Sequence, residues 1–259
     1  MCSSDLAGAA RRSGVGRAGF CRGPTLVSAP AITLAPTDVW FVVPAFNEGP
    51  MITTVVGEVV ASGAHAVVVD DHSADDTGER AHAAGALVVR HPVNLGQGAA
   101  LQTGIDLAVQ RGARILVTFD ADGQHRLEDA FSLAQAIHED RADIACGSRF
   151  MGTAARGIPA SRTLALKAAA IFTRLTSGVR VTDAHNGLRA MNRHAATTIR
   201  LTHNRMAHAS ELVSQVGRYK LRFLELPVEI LYTEYSMRKG QRLSNGLNIL
   251  ADLFLGWLR

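Results

Sequence analysis

Between Val39 and Ser148 the chain alternates five times between a short apolar run rich in β-branched residues and a stretch suited to a helix. The runs are Val39–Val43, Ala66–Val69, Leu87–Val89, Arg114–Phe119 and Asp143–Cys146. Helices are expected from Pro50 to about Ser62, and from a cap at Asp75 or Asp76 to about Ala84. Two more run from Asn94-Leu95-Gly96-Gln97-Gly98 to about Arg111 and from Leu127 to Glu139. Strands and helices alternating at this spacing make an α/β chain with a mainly parallel central sheet, flanked by helices and joined by right-handed crossovers. Pro44 is expected to break the first strand. Four runs end in polar residues: Asn47 and Glu48, Asp70 and Asp71, Asp120 and Asp122, Ser148 and Arg149. In a parallel sheet those ends share one edge, the edge at which open α/β sheets bind ligands. A single site built from several loops follows.

The sharpest of these ends is Asp120-Ala121-Asp122-Gly123-Gln124. Two Asp one residue apart point to opposite faces of a regular strand, so they converge only if the chain turns, and Gly123 permits a turn. Two carboxylates and an amide oxygen are hard donors that suit Mg²⁺ or Mn²⁺, with a phosphate completing the shell. The alternative is a polar strand-end turn with no ligand. Asp70-Asp71, with Ser73 and Asp75, has two readings as well: helix capping, or a carboxylate that accepts hydrogen bonds from a nucleobase or ribose. Gly96-x-Gly98 lacks the third Gly of a dinucleotide fingerprint and follows the third strand, so it is read as close helix packing beside a ligand. There is no P-loop and no G-x-S-x-G elbow. His72, His125 and His185 fall near the expected edge, but without H-x-x-x-H or a Cys cluster they do not suggest zinc.

The second half is less regular. A helix is expected from Thr163 to Thr176, a turn at Asp183-Ala184-His185-Asn186-Gly187, and a strand at Leu188–Met191. A helix from Ala207 to Val216 carries Glu211, and strands are expected at Leu221–Leu226 and Val228–Tyr232. Arg149, Arg156, Arg162, Arg238, Lys239 and Arg242 are singly solvated surface and together a means of holding phosphate. The division is a disordered or foreign tail over residues 1–36, a catalytic domain over 37–242, and an amphipathic helix over 243–259. The helix places Leu243, Leu247, Leu250, Phe254 and Trp257 on one stripe, which either packs on the domain or lies on a membrane surface.

Charge matters only for what it excludes. Of the net +4, the tail supplies +3 (Arg11, Arg12, Arg17 and Arg22 against Asp5), so the domain is close to neutral and no nucleic-acid partner is expected. Three cysteines, two of them in the tail, make no disulfide framework, and a cytoplasmic setting fits. No apolar run approaches the roughly 18 residues of a membrane span, so any attachment to the inner face of a membrane would be peripheral.

Six segments carry a family resemblance. Val43-Pro44-Ala45-Phe46-Asn47-Glu48, Val69-Asp70-Asp71-His72-Ser73-Ala74-Asp75-Asp76-Thr77 and Asn94-Leu95-Gly96-Gln97-Gly98-Ala99-Ala100 are three of them. The others are Asp120-Ala121-Asp122-Gly123-Gln124-His125, Gly147-Ser148-Arg149-Phe150 and Asp183-Ala184-His185-Asn186-Gly187-Leu188-Arg189. In this order they resemble family 2 glycosyltransferases, and most closely the dolichyl- or polyprenyl-phosphate sugar synthases. The resemblance implies a GT-A fold, with a smaller acceptor-side portion toward the C-terminus, and a nucleotide-diphosphate sugar donor. It implies that Asp120, Asp122 and Gln124 hold the metal. The donor-side set is Pro44, Phe46, Glu48, Asp70, Asp71, Gly98 and Asp120. Arg149, Arg162 and Arg238 match residues that hold a lipid-borne acceptor phosphate. His72 stands where the family usually has Gly, and 240–244 lacks the Gly-x-Ser-Lys of the eukaryotic mannose synthases, which leaves sugar and acceptor open.

The expected activity is an inverting, metal-assisted transfer, with Asp122, Arg149 and Asp183 as the catalytic set. A phosphate acceptor is already anionic and needs positioning by Arg more than a base. A saccharide hydroxyl, the alternative acceptor, would need one, and Asp183 and Glu211 are the candidates. A sugar nucleotidyltransferase needs a Gly-rich basic loop after its first strand, where this chain has acidic Ala45-Phe46-Asn47-Glu48. A non-catalytic nucleotide-sugar-binding module remains the third reading.

Overall fold

The computed structural model describes residues 34–151, 170–171, 173–174, 177–203 and 207–231. Residues 1–33 of the expected 1–36 tail, nearly all of the helix expected over Thr163–Thr176, Arg156, Arg162, Arg238, Lys239, Arg242 and the 243–259 stripe lie outside these residues. The end of the expected tail belongs to the fold: Leu34 is buried in the core and its N–H donates to Gln135 Oε1 at 3.0 Å.

The strands are β1 Val39–Ala45, β2 His65–Asp70, β3 Leu87–Arg90, β4 Ile115–Thr118, β5 Ile144–Ser148, β6 Arg189–Asn192 and β7 Phe223–Pro227. They form one sheet in the order β3-β2-β1-β4-β6-β5-β7. β6 alone is antiparallel to its neighbours, pairing with β4 and β5. Among the described residues the helices with defined bounds are α1 Gly49–Ala61, α2 Thr77–Ala83, α3 Gln97–Gln110, α4 Leu127–His138, α5 Arg193–Thr198 and α6 His208–Arg218.

Successive strand residues serve opposite faces. Phe41, Val43, Val68, Val117, Ala145 and Ala190 join the cluster with Ile52, Val56 and Val59 of α1 and Leu133 and Ile137 of α4. Val42, Val67, Val69, Leu116, Ile144 and Met191 join Leu101 and Ile105 of α3 and Leu212 and Val216 of α6 on the other face. A sheet covered on both faces needs near-continuous apolar strands, and every residue of β1 but the half-buried Trp40 is buried. Each fully buried Val, Leu or Ile contributes about 1.5–3 kcal/mol relative to exposure.

Two expectations fail for backbone reasons. β1 does not break at Pro44: it pairs with β2 as far as Ala45↔Asp70. Its ladder with β4 ends at Val42↔Thr118, followed by Phe119 N–H to Val42 O at 3.0 Å. Pro44 is of the same parity as Val42, so its missing N–H would point to the side where β4 has already turned away, and no ladder bond is lost. The second failure is Val228–Tyr232, which among the described residues makes one isolated bridge, Ile230 to His125, and no strand. β7 ends at Pro227, and the chain then crosses to the loop after β4.

Candidate active site

The C-terminal ends of β1, β2, β4 and β5 share one edge, and antiparallel β6 starts there, so the turn before it joins the same edge. Thr118 donates its hydroxyl to Gly187 O at 2.6 Å, tying the end of β4 to that turn.

Beyond Thr118 the chain turns through Gly123, at φ +71°. Gln124 N–H donates to Asp122 Oδ1 at 3.0 Å. Asp120 Oδ2 is 2.9 Å from His125 Nε2, and Gln97 donates to Asp120 Oδ1 at 3.3 Å. Gly187 lies under this carboxylate: a Cβ there would fall 2.8 Å from Asp120 Cγ. Burial raises the Asp122 carboxyl, the charge of Asp120 adds to it, and together they push it up to about 6. For Asp120 burial acts in the same direction but is outweighed by the His125 hydrogen bond and charge and by the charges of Arg189 and His208, so its pKa falls below the usual carboxylate range. Two half-buried carboxylates that repel one another, one of them held ionised, are a donor set that a hard divalent cation fits. Among the described residues no three His, Cys, Asp or Glu side chains converge on such a point. Further ligands would come from Gln124, water and a phosphate.

Asp70 is fully buried. Its Oδ1 accepts the Ser73 N–H at 2.8 Å, while its Oδ2 lies 3.6 Å from Arg90 Nε and has no hydrogen-bond partner. Asp71 is committed: it accepts the N–H groups of Leu95 at 2.8 Å and Gly96 at 2.7 Å and meets His91 Nδ1 at 2.8 Å. It thereby sets the entry to α3, from which Gln97 reaches Asp120. Gly98 lies where α3 meets the 203–208 segment, since a Cβ there would overlap His203 O and come within 3.1 Å of His208 Cβ. Phe46 is 45% exposed beside the buried Pro44. The loop after β1 is laced to the loop after β2: Asn47 N–H to Ser73 Oγ at 3.0 Å, Glu48 N–H to Thr77 Oγ1 at 2.9 Å, and Ala74 N–H to Asn47 Oδ1 at 2.8 Å. His72 sits at φ +65°, a left-handed conformation that explains why Gly is usual there.

Arg149 and Asp183 face one another across the β5 end and the turn before β6, Nε to Oδ2 at 2.6 Å and Nη2 to Oδ1 at 2.7 Å. Glu225 fixes that turn by accepting the Thr182 N–H at 2.9 Å and the Asp183 N–H at 3.1 Å. Glu211, the other candidate base, stands in the first turn of α6 and accepts the N–H groups of Thr202 and His203, each at 3.0 Å. His185, within the turn before β6, is pushed down to about 4 by burial, with the charge of Arg189 acting the same way.

Arg189 escaped the residue-by-residue reading, although a cation inside the run Leu188–Met191 was a visible signal. It is 2% exposed. Its Nη2 lies 3.5 Å from Ala184 O, and its Nη1 is buried with no hydrogen-bond partner. Its neighbour Cys146 is buried, and burial pushes that thiol up to about 12, so it is inert at neutral pH.

Comparison with known proteins places this edge in context. The family model described as glycosyl transferase family 2 matches residues 40–200. The UDP-N-acetylglucosamine–dolichyl-phosphate N-acetylglucosaminyltransferase of Methanococcus voltae is 30% identical over 84% of this chain and 95% of its own length. The polyprenol monophosphomannose synthase of Mycolicibacterium smegmatis is 33% identical over 66% of this chain and 68% of its own. Among solved structures, glucosyl-3-phosphoglycerate synthase from Mycobacterium tuberculosis superposes with a TM-score of 0.65 at 20% identity, covering 86% of this chain and 82% of that one. That structure contains Mn²⁺, UDP and glucosyl-3-phosphoglycerate. The shared fold is GT-A, with its mostly parallel seven-stranded sheet between two layers of helices.

Proposed function

Because the chain belongs to glycosyl transferase family 2, we propose that it moves a sugar from a nucleotide-diphosphate donor to a polyprenyl, dolichyl-type phosphate, with inversion at the anomeric carbon and assistance from Mg²⁺ or Mn²⁺. The observation that carries this reading is the Asp120–Asp122 turn, where repulsion and burial raise one carboxylate and polar contacts hold the other ionised. Asp120, Asp122 and Gln124 would hold the ion, which when bound stabilises the negative charge developing on the departing diphosphate. Pro44, Phe46, Glu48, Asp70, Asp71 and Gly98 form or support the donor side, Asp71 by fixing the start of α3.

The acceptor phosphate would be held by Arg149 with Arg162 and Arg238. A phosphate acceptor is favoured because both candidate bases are already engaged, Asp183 with Arg149 and Glu211 with the 202–203 backbone. Asp183 then serves catalysis by aiming the Arg149 fork, and Arg positions an already anionic nucleophile. The dolichyl-phosphate relative supports the same acceptor class. Among the described residues no helix is long and apolar enough to cross a membrane. Peripheral attachment at the cytoplasmic face through the 243–259 stripe, following a 37–242 catalytic domain and a tail that is dispensable over residues 1–30, completes the proposal; Leu34, within the expected 1–36 tail, is buried in the core.

The test is a panel of nucleotide sugars incubated with the full chain, with and without polyprenyl phosphate and with and without excess chelator. Release of nucleoside diphosphate that requires both the lipid phosphate and the metal is expected. Equal release with a free saccharide and no lipid would replace the acceptor, and release undiminished by chelator would remove the metal.

A further inference from the structure

The carboxylate of Asp120 is fixed on three sides: by His125 at Oδ2, by Gln97 at Oδ1 and by the Cα of Gly187 beneath it. Each carboxylate oxygen can accept twice, so both contacts leave a lone pair on each oxygen for a cation. The three supports differ in rigidity. Gln97 reaches in at 3.3 Å on a flexible stem, and Gly187 only sets a floor. The His125 side chain is 4% exposed, and its ring lies 5.7 Å from that of Phe119.

The chemistry of the ring follows from its other nitrogen. Nδ1 of His125 is buried with no hydrogen-bond partner. A proton there would be a buried unpaired donor. The ring proton that serves Asp120 is therefore on Nε2, and Nε2–H donates to the carboxylate.

The backbone around the ring is held as firmly as the ring itself. His125 bridges to Ile230, and Gln124 O accepts the Leu231 N–H at 2.9 Å. Asp129 Oδ2 accepts the Glu229 N–H at 2.9 Å, and Arg126 Nη1 donates to Glu229 Oε2 at 2.7 Å. The chain that leaves β7 is thus stapled to the metal-side loop immediately before and after the ring.

We infer that His125 is a positioning residue for the divalent cation: its Nε2–H holds Asp120 in the rotamer that meets the ion together with Asp122, and the 229–231 segment keeps the ring in place. This inference rests on the metal reading of the Asp120–Asp122 turn. A hydrogen-bonded partner behind a ligand fixes its orientation, and losing such a partner typically weakens metal affinity about 10–100-fold.

Calorimetric titration of the full chain with MnCl₂, without nucleotide sugar, tests it alongside melting temperatures. His125→Leu should fold and bind Mn²⁺ about 10–100-fold more weakly. His125→Gln, whose amide reaches the Nε2 position, should stay within about threefold of wild type, because the donor to Asp120 survives. His125→Asn, too short to reach, should behave like the Leu variant and replaces it if the latter does not fold. Wild-type affinity in a folded Leu or Asn variant, or equal loss in the Gln variant, overturns the role of His125 and leaves the metal site standing. Absence of Mn²⁺ binding by wild type and all variants alike overturns the metal reading and this inference with it.

Discussion

The Arg149 guanidinium and the Asp183 carboxylate form a two-bond pair at 2.6 and 2.7 Å, with the Asp183 side chain fully buried and that of Arg149 10% exposed. The pair also receives the Arg149 backbone N–H on Asp183 Oδ2 at 3.2 Å. Breaking a buried pair from one side leaves the other charge stranded, at a cost of about 3–5 kcal/mol. Asp183→Ala is therefore expected to lose stability of that order in urea denaturation and to lose turnover. Asp183→Asn keeps the volume and one acceptor oxygen, and should lose clearly less. Equal stability of the Ala variant and wild type would show that Arg149 finds another partner.

Asp122 carries the opposite balance. Burial and the charge of Asp120 make its ionised form less favourable than that of a free carboxyl in the metal-free protein. Asp122→Asn removes that charge at constant shape. The variant is expected to melt no lower than wild type in chelator while losing transfer activity, the trade-off common at sites that hold charge for function. A variant that keeps normal activity, or one that melts well below wild type, contradicts the assignment.

Gly187→Ala tests the floor of the site. The added Cβ overlaps the Asp120 carboxylate and must displace it. Overpacking of this kind costs about 1–3 kcal/mol. Because the collision falls on Asp120, activity and Mn²⁺ affinity should fall further than stability does. An Ala variant with wild-type Mn²⁺ affinity would show that Asp120 has room to move.

How much of this could be read beforehand depended on whether a signal was local. The α/β alternation, the polar strand ends and the Asp120–Asp122 turn were legible because each is written in a few consecutive residues. The continuation of β1 through Pro44 was not, because it depends on where its neighbour β4 stops. Nor was the fate of Asp71: in sequence it is the twin of Asp70, yet its oxygens are taken by Leu95 and Gly96, 24 and 25 residues away. The Arg149–Asp183 pair and the contact of Gly187 with Asp120 are set by antiparallel β6 entering between β4 and β5, an order that no local pattern encodes.

Asp143 gives a pH signature away from the site. It accepts from the Arg222 side chain at 2.9 and 3.2 Å, from the Arg222 N–H at 2.9 Å and from Asn192 at 2.9 Å, so it joins the start of β5 to β6 and β7. The Arg222 hydrogen bonds hold its carboxyl well below the usual carboxylate range. A depressed carboxylate stabilises the fold above its unfolded pKa of about 3.9 and loses that contribution as pH falls further. Asp143→Asn should cost about 1–2 kcal/mol at pH 7, after discounting for the half-exposed Arg222, and the gap to wild type should narrow below about pH 4. A gap that is constant from pH 7 to pH 3 would mean that shape, and not charge, is what Asp143 supplies.

Arg189 stands at the start of β6, between Thr118 and Cys146. A buried guanidinium with one nitrogen unpartnered and another at 3.5 Å from its acceptor is poorly compensated for its desolvation. Its charge nevertheless acts on the site, because it is one of the charges that keep Asp120 ionised. Stability and function therefore pull in opposite directions at this residue. Arg189→Met fills similar space without the charge. Replacements of this kind range from neutral to stabilising by about 1–4 kcal/mol. The Met variant is expected to melt at or above the wild-type temperature in the absence of metal and donor, and to turn over more weakly. A Met variant that is destabilised yet fully active would show that the guanidinium only props the sheet edge. One that is stabilised and fully active would show that the Asp120 carboxylate does not depend on it.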